Sequence, residues 1–327
     1  MIALSIVALA LMFVFNSYLS FWRDWPGVLT FYAQMGWFGT AALSSPLEST
    51  RVAQGWGQLA IYLVPVLSLC FFVRKTPGRT MHHDAEVLSA ITAYIIRAAF
   101  WSVFLIGLAD SVISFLRIEN FLHFFIGDQL TADLGRSAFR GVYVHFPLIG
   151  LSMIIAAVTR SVGFIWLALL IVVAEILIVV ARFVFSYEQA FMSDLVRFWY
   201  GALFLFASPY TLIHEGHVRV DILYASFSER GKAWTNTIGS MFLGMPLCWV
   251  ILTRGMWGKS NIISGPLLNF EVTQSGYGLY VKYLLAGFLL IFAVTMLIQF
   301  MSYFLSSAAV LLREPDHHPD TTEHASV

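Results

Sequence analysis

Charged side chains are scarce in this chain of 327 residues. Asp, Glu, Lys and Arg make up 12% of it, while hydrophobic residues make up 59% and the mean hydropathy is +0.77. A soluble globular domain carries roughly twice that charged fraction. The two signs of charge balance to a formal net charge of +0, so no basic surplus points to nucleic acid. The composition therefore argues against an ordinary soluble domain and against a nucleic-acid-binding protein.

Cysteine is also rare, and Cys70 and Cys248 both lie inside apolar runs. Neither belongs to a CxxC pair or to a Cys/His cluster with the spacing of a metal site. We therefore predict two buried free thiols. The apolar N-terminus lacks a basic segment and a clear cleavage site, so we interpret it as a retained span and not as a signal peptide.

Long apolar runs dominate the sequence, and each run of about 20 residues can cross a bilayer as a helix. The two-residue alternation of an outer-membrane barrel is absent. A semi-apolar piece at 28–44 is expected to be interfacial or re-entrant, because polar residues and glycines interrupt it. We predict an all-α polytopic membrane bundle of about eight transmembrane helices, near residues 2–22, 55–73, 87–116, 141–159, 163–186, 195–213, 235–256 and 278–307.

Eight spans place both termini on one side of the membrane. The short loop at 74–86 and the loop at 214–234 each carry three Lys or Arg residues on that side. The positive-inside rule therefore makes both termini cytoplasmic. Several arginines on the opposite side reduce the difference in positive charge between the two sides. The polar segment 313–327 is predicted to be a disordered cytoplasmic tail.

Four ionisable residues fall inside predicted spans, where charge is costly and is usually paired or functional. At a rise of about 1.5 Å per residue, Arg97 matches Glu175 in depth, and Asp110 matches Arg182. We predict that the third and fifth spans pack together through these two ion pairs. The alternative is that the arginines snorkel to the surface while the acids are protonated or meet another subunit. A proton or ion relay is disfavoured because the spans are largely uninterrupted.

A polar segment at residues 214–224 interrupts the apolar pattern. Arg219 and Asp221 are the last two charged residues in it. It begins with two histidines that have a glutamate between them. Zinc sites of this type need the histidines four positions apart on one helix face. Here the spacing is three, a glycine intervenes and no third ligand is apparent, so we predict a surface loop and no metal site.

Two other histidines, His123 and His145, are the candidates for haem ligation, but both are predicted near the outer surface beside polar loops. A haem-binding membrane anchor of a redox complex is therefore kept as an alternative function. A free-standing secondary transporter is a further alternative. No catalytic constellation is apparent, so the chain is predicted to be a non-enzyme without a cofactor.

Five short motifs occur in order across the last four predicted spans. They are Arg182-Phe-Val-Phe185, Phe191-x-Ser193-Asp194-Leu195-x-Arg197, Tyr210–Tyr224 with His217-x-Arg219-Val-Asp221, Gly278-Leu279 with Lys282, and Gln299. From about residue 163 to 312 the chain thereby resembles the DctQ-like small membrane subunit of TRAP (tripartite ATP-independent periplasmic) transporters. The Tyr-Thr-Leu lead-in at 210–212 resembles the mannitol/chloroaromatic-type branch. Phe191 and Ser193 depart from the Trp and Glu that the family often has.

The resemblance implies a subunit that does no chemistry itself. It implies a DctM-like large subunit that moves solute by a sodium-driven elevator, and a DctP-like periplasmic protein that delivers an organic acid or similar solute. Sodium ions are then expected on the large subunit, and this chain contacts that subunit and lipid in a bacterial inner membrane. A structural role is implied for the motif residues Arg182, Asp194, Arg197, His217, Arg219, Asp221, Lys282 and Gln299.

The resemblance divides the chain into three parts. Residues 161–312 would form the four-helix small-subunit domain, and 313–327 the tail. Residues 1–160, with four predicted spans, lie outside the usual small subunit and carry no recognised motif. We expect this N-terminal extension to widen the scaffold against lipid or the large subunit.

Overall fold

The structure is a computed structural model that describes residues 2–41, 43–160, 164–187, 190–213, 224–273 and 278–314. Within these ranges the regular elements are all helical, which confirms the predicted fold class. The main helices are α1 (Ile2–Trp22), α2 (Val28–Met35), α3 (Ser49–Lys75), α4 (Met81–Ile118), α5 (Leu122–Leu134), α6 (Ser137–Val158), α7 (Phe164–Val184), α8 (Ala190–Ile213), α9 (Glu229–Met256), α10 (Ser264–Asn269) and α11 (Lys282–Leu312).

Seven of the described helices are long and apolar enough to cross a membrane, namely α1, α3, α4, α6, α7, α9 and α11. This confirms a polytopic helical bundle. The sixth predicted span corresponds to α8, which has 24 residues but is less apolar because Asp194 and Arg197 lie in its first turns. At 8 residues, α2 is too short to cross a bilayer, in agreement with the interfacial or re-entrant prediction for 28–44.

Two π-helical turns interrupt the long helices, Gly141–His145 in α6 and Ser240–Gly244 in α9. Each is followed, after one residue, by a proline, Pro147 or Pro246. Proline has no N–H and its ring clashes with the carbonyl four residues earlier, so the regular helical bonding pattern fails there. In both helices the residue before the proline donates its N–H to the carbonyl five residues back. The π turn thus keeps each helix continuous into its proline.

Helices α4 and α11 lie at the centre of the bundle and pack against each other. α6 packs on α4, α8 packs on both central helices, and α9 packs on α11. α7 packs mainly on α8, whereas α1 lies against α9 and α11 and carries α3 on its other side. The prediction that the third and fifth spans pack together is therefore wrong, because α8 takes the place beside α4 that was assigned to α7.

The buried apolar side chains form two clusters, and each joins the N-terminal extension to the C-terminal helices. The first cluster brings α4 residues such as Ile96 and Val103 against Phe198 of α8 and Phe288 of α11. The second brings Val7, Ala10 and Ala85 against α9 and α11. The extension therefore shares its cores with residues 161–312, and the three-part division stays a prediction about sequence regions.

Candidate functional site

A cluster of buried charges joins α4 to the start of α6. Asp110 of α4 and Arg140 of α6 are both 0% exposed, and Arg140 Nη1 lies 2.8 Å from Asp110 Oδ1. The same Nη1 donates to Ser114 Oγ at 3.2 Å. Arg140 Nε and Nη2 donate to the carbonyl of Leu134 at 3.0 and 2.8 Å. Each nitrogen of the guanidinium thus donates at least one hydrogen bond, as a buried arginine requires.

His145 also contacts Asp110 and belongs to the same buried cluster. Its Nε2 lies 3.3 Å from Asp110 Oδ1 and its Nδ1 lies 2.7 Å from the hydroxyl of Tyr283. A neutral ring that donates from Nε2 to the carboxylate and accepts from the tyrosine satisfies both contacts. Arg140 and His145 are five positions apart, and the π turn between them brings both onto the side of α6 that faces Asp110.

The second oxygen of Asp110 binds the segment that leads into α11. Tyr280 donates its backbone N–H to Asp110 Oδ2 at 2.8 Å and its hydroxyl to the carbonyl of Gly135 at 2.9 Å. Arg117 donates to that hydroxyl at 2.6 Å, and the guanidinium of Arg140 lies 4.1 Å above the Tyr280 ring. We call Asp110, Ser114, Arg140, His145, Tyr280 and Tyr283 the polar cluster. It ties α4 and α6 of the extension to α11.

Two smaller contacts extend this connection towards α8. Asp194, in the first turns of α8, accepts from Thr273 Oγ1 and from the backbone N–H of Leu279, both at 3.2 Å. Lys282, the first residue of α11, lies 2.5 Å from Glu271. Two of the family-motif residues, Asp194 and Lys282, therefore fix the ends of neighbouring helices.

A third motif residue, Gln299, lies just past the middle of α11. It is 3% exposed and exchanges hydrogen bonds with Ser89 of α4, with Gln299 Nε2 to Ser89 Oγ at 3.2 Å and Ser89 Oγ to Gln299 Oε1 at 3.3 Å. Ser302 lies 2.9 Å from Ser89 and donates to the carbonyl of Ala85 at 2.7 Å. A motif residue of the C-terminal region is thus bonded to the N-terminal extension.

The predicted ion pairs are not formed. Asp110 binds Arg140 and His145 instead of Arg182, because α6 packs closely on α4 whereas α7 packs mainly on α8. Arg182 is exposed in the last turn of α7. In the described part of the chain Arg97 and Glu175 form no ion pair: Glu175 is exposed on α7, and Arg97 Nε is buried without a hydrogen-bond partner.

The remaining motif residues are placed as follows. Arg197 is 73% exposed and lies 3.8 Å from Asp194. His217, Arg219 and Asp221 lie outside the described residues, as does the rest of 214–223. Arg197 therefore adds little to the packing of this chain.

Sequence reasoning missed Arg140, His145 and Tyr283 as a group with Asp110. The fourth predicted span, 141–159, leaves Arg140 just outside the membrane helix, whereas α6 begins at Ser137. The depth of Asp110 in the membrane could have indicated this partner. Asp110 lies only about two turns from the outer end of its span. An arginine at the outer end of the next span is within reach of such a carboxylate.

The geometry of His145 does not fit the haem alternative. Both ring nitrogens of His145 are engaged by protein groups, so neither faces an open coordination position. The ring of His123 on α5 lies 3.9 Å from that of Phe124, with the two planes tilted by 39°. Among the described residues no three His, Cys, Asp or Glu side chains come together as a metal site. The polar cluster is arranged to hold helices together, with each charge met by a fixed partner.

Comparison with known proteins identifies one region of the chain. Residues 169–310 match the family model described as tripartite ATP-independent periplasmic transporters, DctQ component. The match begins within α7 and ends within α11, so it takes in α8 and α9 and leaves the N-terminal extension outside. No curated protein and no solved structure matches the chain.

Proposed function

Residues 169–310 match the family model of the DctQ component of the tripartite ATP-independent periplasmic transporters, and on that premise we propose that the chain is the fixed scaffold subunit of such a transporter. In this role it joins a DctM-like large membrane subunit, which carries the moving elevator and its sodium sites. A DctP-like periplasmic protein delivers the solute, expected to be an organic acid. The chain itself performs no chemical step.

The main support for this proposal is the way in which the buried charges of the bundle are paired. Asp110 and Arg140 are fixed by bonds to several helices, including the segment that enters α11. A moving substrate site in a membrane is typically built on interrupted helices with groups that are free to bind solute. Here the buried charges of the polar cluster are occupied with one another, which favours a rigid scaffold.

The proposed orientation has both termini in the cytoplasm of a bacterial inner membrane. Two long-range contacts support the alternation of eight spans. Met81, at the start of α4, donates its N–H to Glu314 beyond the end of α11 at 2.7 Å. Lys259 after α9 lies 3.3 Å from Asp24 after α1. Each contact joins two helix ends that the alternation assigns to one side.

The outward side then consists largely of the segments around α5 and α10. They carry exposed charges of both signs, including Asp133 paired with Arg136 at 2.5 Å and Glu271 paired with Lys282. We propose that this surface, together with the large subunit, receives the periplasmic binding protein.

The proposal is tested by purifying the tagged full-length chain from membranes in which the large subunit is co-expressed. We expect the large subunit to co-purify in a fixed ratio. Proteoliposomes that hold the chain alone should take up no solute. Solute uptake by the chain without a partner, or failure to recover the large subunit, would refute the proposed function.

A further inference from the structure

The outer face of α7 carries a carboxylate that the described chain leaves without a partner. Glu175 is exposed and forms no hydrogen bond or ion pair within the described ranges. It lies near the middle of a helix of 21 residues, so it is about 15 Å from either end. That distance is half of the roughly 30 Å apolar thickness of a bilayer. The carboxylate is therefore at the depth where water is scarcest.

α7 offers a wide apolar surface around this carboxylate. One narrow stripe, which includes Leu167 at 0% and Ala174 at 3% exposure, is buried within the bundle. Most other side chains of α7 are exposed, and α7 is the most apolar of the seven candidate spans. Apolar side chains alone would suit lipid as well as protein. Glu175 distinguishes the two, because hydrocarbon offers no donor to a carboxylate.

The neighbours of Glu175 on its own face cannot satisfy it. Val172 and Val179, one turn away on either side, are apolar and exposed. Arg182 shares this face but lies seven residues further on, a rise of about 10 Å. A separation of that size is too long for an ion pair. The described part of this chain therefore supplies no donor to Glu175, and we look for one on a partner molecule.

We propose that the face of α7 around Glu175 packs against a membrane-spanning helix of the large subunit, which presents a cationic side chain to the carboxylate near mid-membrane. The inference rests on the proposed function, which supplies the class of partner. We choose this partner because a cationic side chain complements the negative charge of Glu175. A second copy of the chain, packed symmetrically through the same face, would bring two Glu175 carboxylates together. The charged headgroups of lipids lie at the surface, far from this depth.

Substitution of Glu175 tests the proposal in the co-expressed complex. The full-length tagged chain is purified with the large subunit, and the ratio of the two proteins is measured for the wild type, Glu175→Leu and Glu175→Gln. We expect Glu175→Leu to lower the recovered large subunit about tenfold or more, because a charge-assisted bond in an apolar setting is lost. Glu175→Gln, which keeps the shape and removes the charge, should fall between them.

Glu86→Gln serves as the matched control. Glu86 is exposed in the second turn of α4, so the same chemical change is made near a helix end and not at mid-membrane. This variant should recover the large subunit as the wild type does. Full recovery by Glu175→Leu would overturn the inference while leaving the proposed function standing. A wild-type chain that recovers no large subunit would overturn both.

A photo-crosslinking residue at Val179, one turn from Glu175, identifies the occupant directly. Val179 is 52% exposed. We expect the crosslinked product to contain the large subunit. A product that contains a second copy of this chain, or the absence of any protein product in a complex that is otherwise intact, would overturn the inference. Thermal unfolding of each isolated variant separates loss of contact from loss of folding, and the isosteric Glu175→Gln decides if Glu175→Leu fails to fold.

Discussion

Asp110 and Glu175 are both carboxylates inside candidate membrane spans, and their surroundings are opposite. Asp110 is 0% exposed and receives Arg140, His145 and the backbone of Tyr280. Glu175 is exposed on α7 and receives no group from the described chain. The first residue is committed to the fold of this subunit. Glu175 can form a stabilising contact only when another molecule packs against this face of α7.

The difference follows from the position of each helix. α4 is central and meets α6, α8 and α11, so a charge on it can find donors on several sides. α7 is peripheral and packs mainly on α8, so most of its circumference faces outward. A charge is costly in either place unless it is paired. A charge that is paired within the chain therefore indicates a role in the stability of the fold. An unpaired charge on the outer face of a peripheral helix indicates a role in binding another subunit.

Arg140→Met should give the largest effect on the isolated chain. It leaves the Asp110 carboxylate buried without its main counter-charge, and breaking a buried pair in this way typically costs about 3–5 kcal/mol. We expect a matching fall in the free energy of unfolding, measured by denaturant titration in detergent. Arg136→Met is the control, because Arg136 is 68% exposed and should cost less than about 1 kcal/mol. Equal stability of the two variants would contradict the role assigned to Arg140.

Gly107→Ala should be the next most damaging change. A Cβ at Gly107 would lie 2.4 Å from Nε1 of Trp199, so α4 and α8 could no longer approach as closely. Overpacking of this kind typically costs about 1–3 kcal/mol. Gly150→Ala in α6 is the control, because a Cβ there meets nothing within 4 Å and replaces a glycine in a helix interior. The control should leave thermal stability unchanged or raised, and a destabilised control would undermine the comparison.

Tyr283→Phe should have a smaller effect. It removes the hydroxyl that lies 2.7 Å from His145 Nδ1 and keeps the ring that packs on Phe270. The loss of one buried hydrogen bond predicts a cost of about 1 kcal/mol, visible as a lower unfolding temperature. Tyr143→Phe provides the comparison, since Tyr143 is 66% exposed. If Tyr283→Phe unfolds at the wild-type temperature, the hydroxyl contributes nothing to the cluster.

Glu175→Gln should change the stability of the isolated chain least. The carboxylate touches no internal partner, so its replacement is a surface substitution with an effect within about 0.5 kcal/mol. The unfolding temperature of the isolated variant measures this. A large loss of stability would mean that Glu175 serves the fold and not the assembly.

The sequence predicted most of the architecture, because apolar runs of membrane-spanning length are a strong signal. Serine is a residue type that favours a helix N-cap, and Ser228 does accept from the N–H of Gly231 at 3.3 Å. Asp194, Lys282 and Gln299 turned out to hold helix ends or neighbouring helices, which the motif alone did not indicate.

The pairing of charges could not be predicted in the same way. Matching residues by depth requires the order of helices around the bundle, and sequence alone does not supply it. Arg97–Glu175 and Asp110–Arg182 agreed in depth, yet α8 separates α7 from α4. The π turn that brings Arg140 and His145 to one side of α6 also depends on how Pro147 is accommodated, which a count of 3.6 residues per turn does not anticipate.

The most direct test compares the two carboxylates in both states of the chain. Asp110→Asn and Glu175→Gln are measured side by side for unfolding of the isolated chain and for recovery of the co-expressed large subunit. We predict that Asp110→Asn lowers the unfolding temperature, whereas Glu175→Gln leaves that temperature unchanged and reduces recovery of the large subunit. Full recovery by Glu175→Gln, or an unfolding temperature that falls as far as that of Asp110→Asn, would contradict the account.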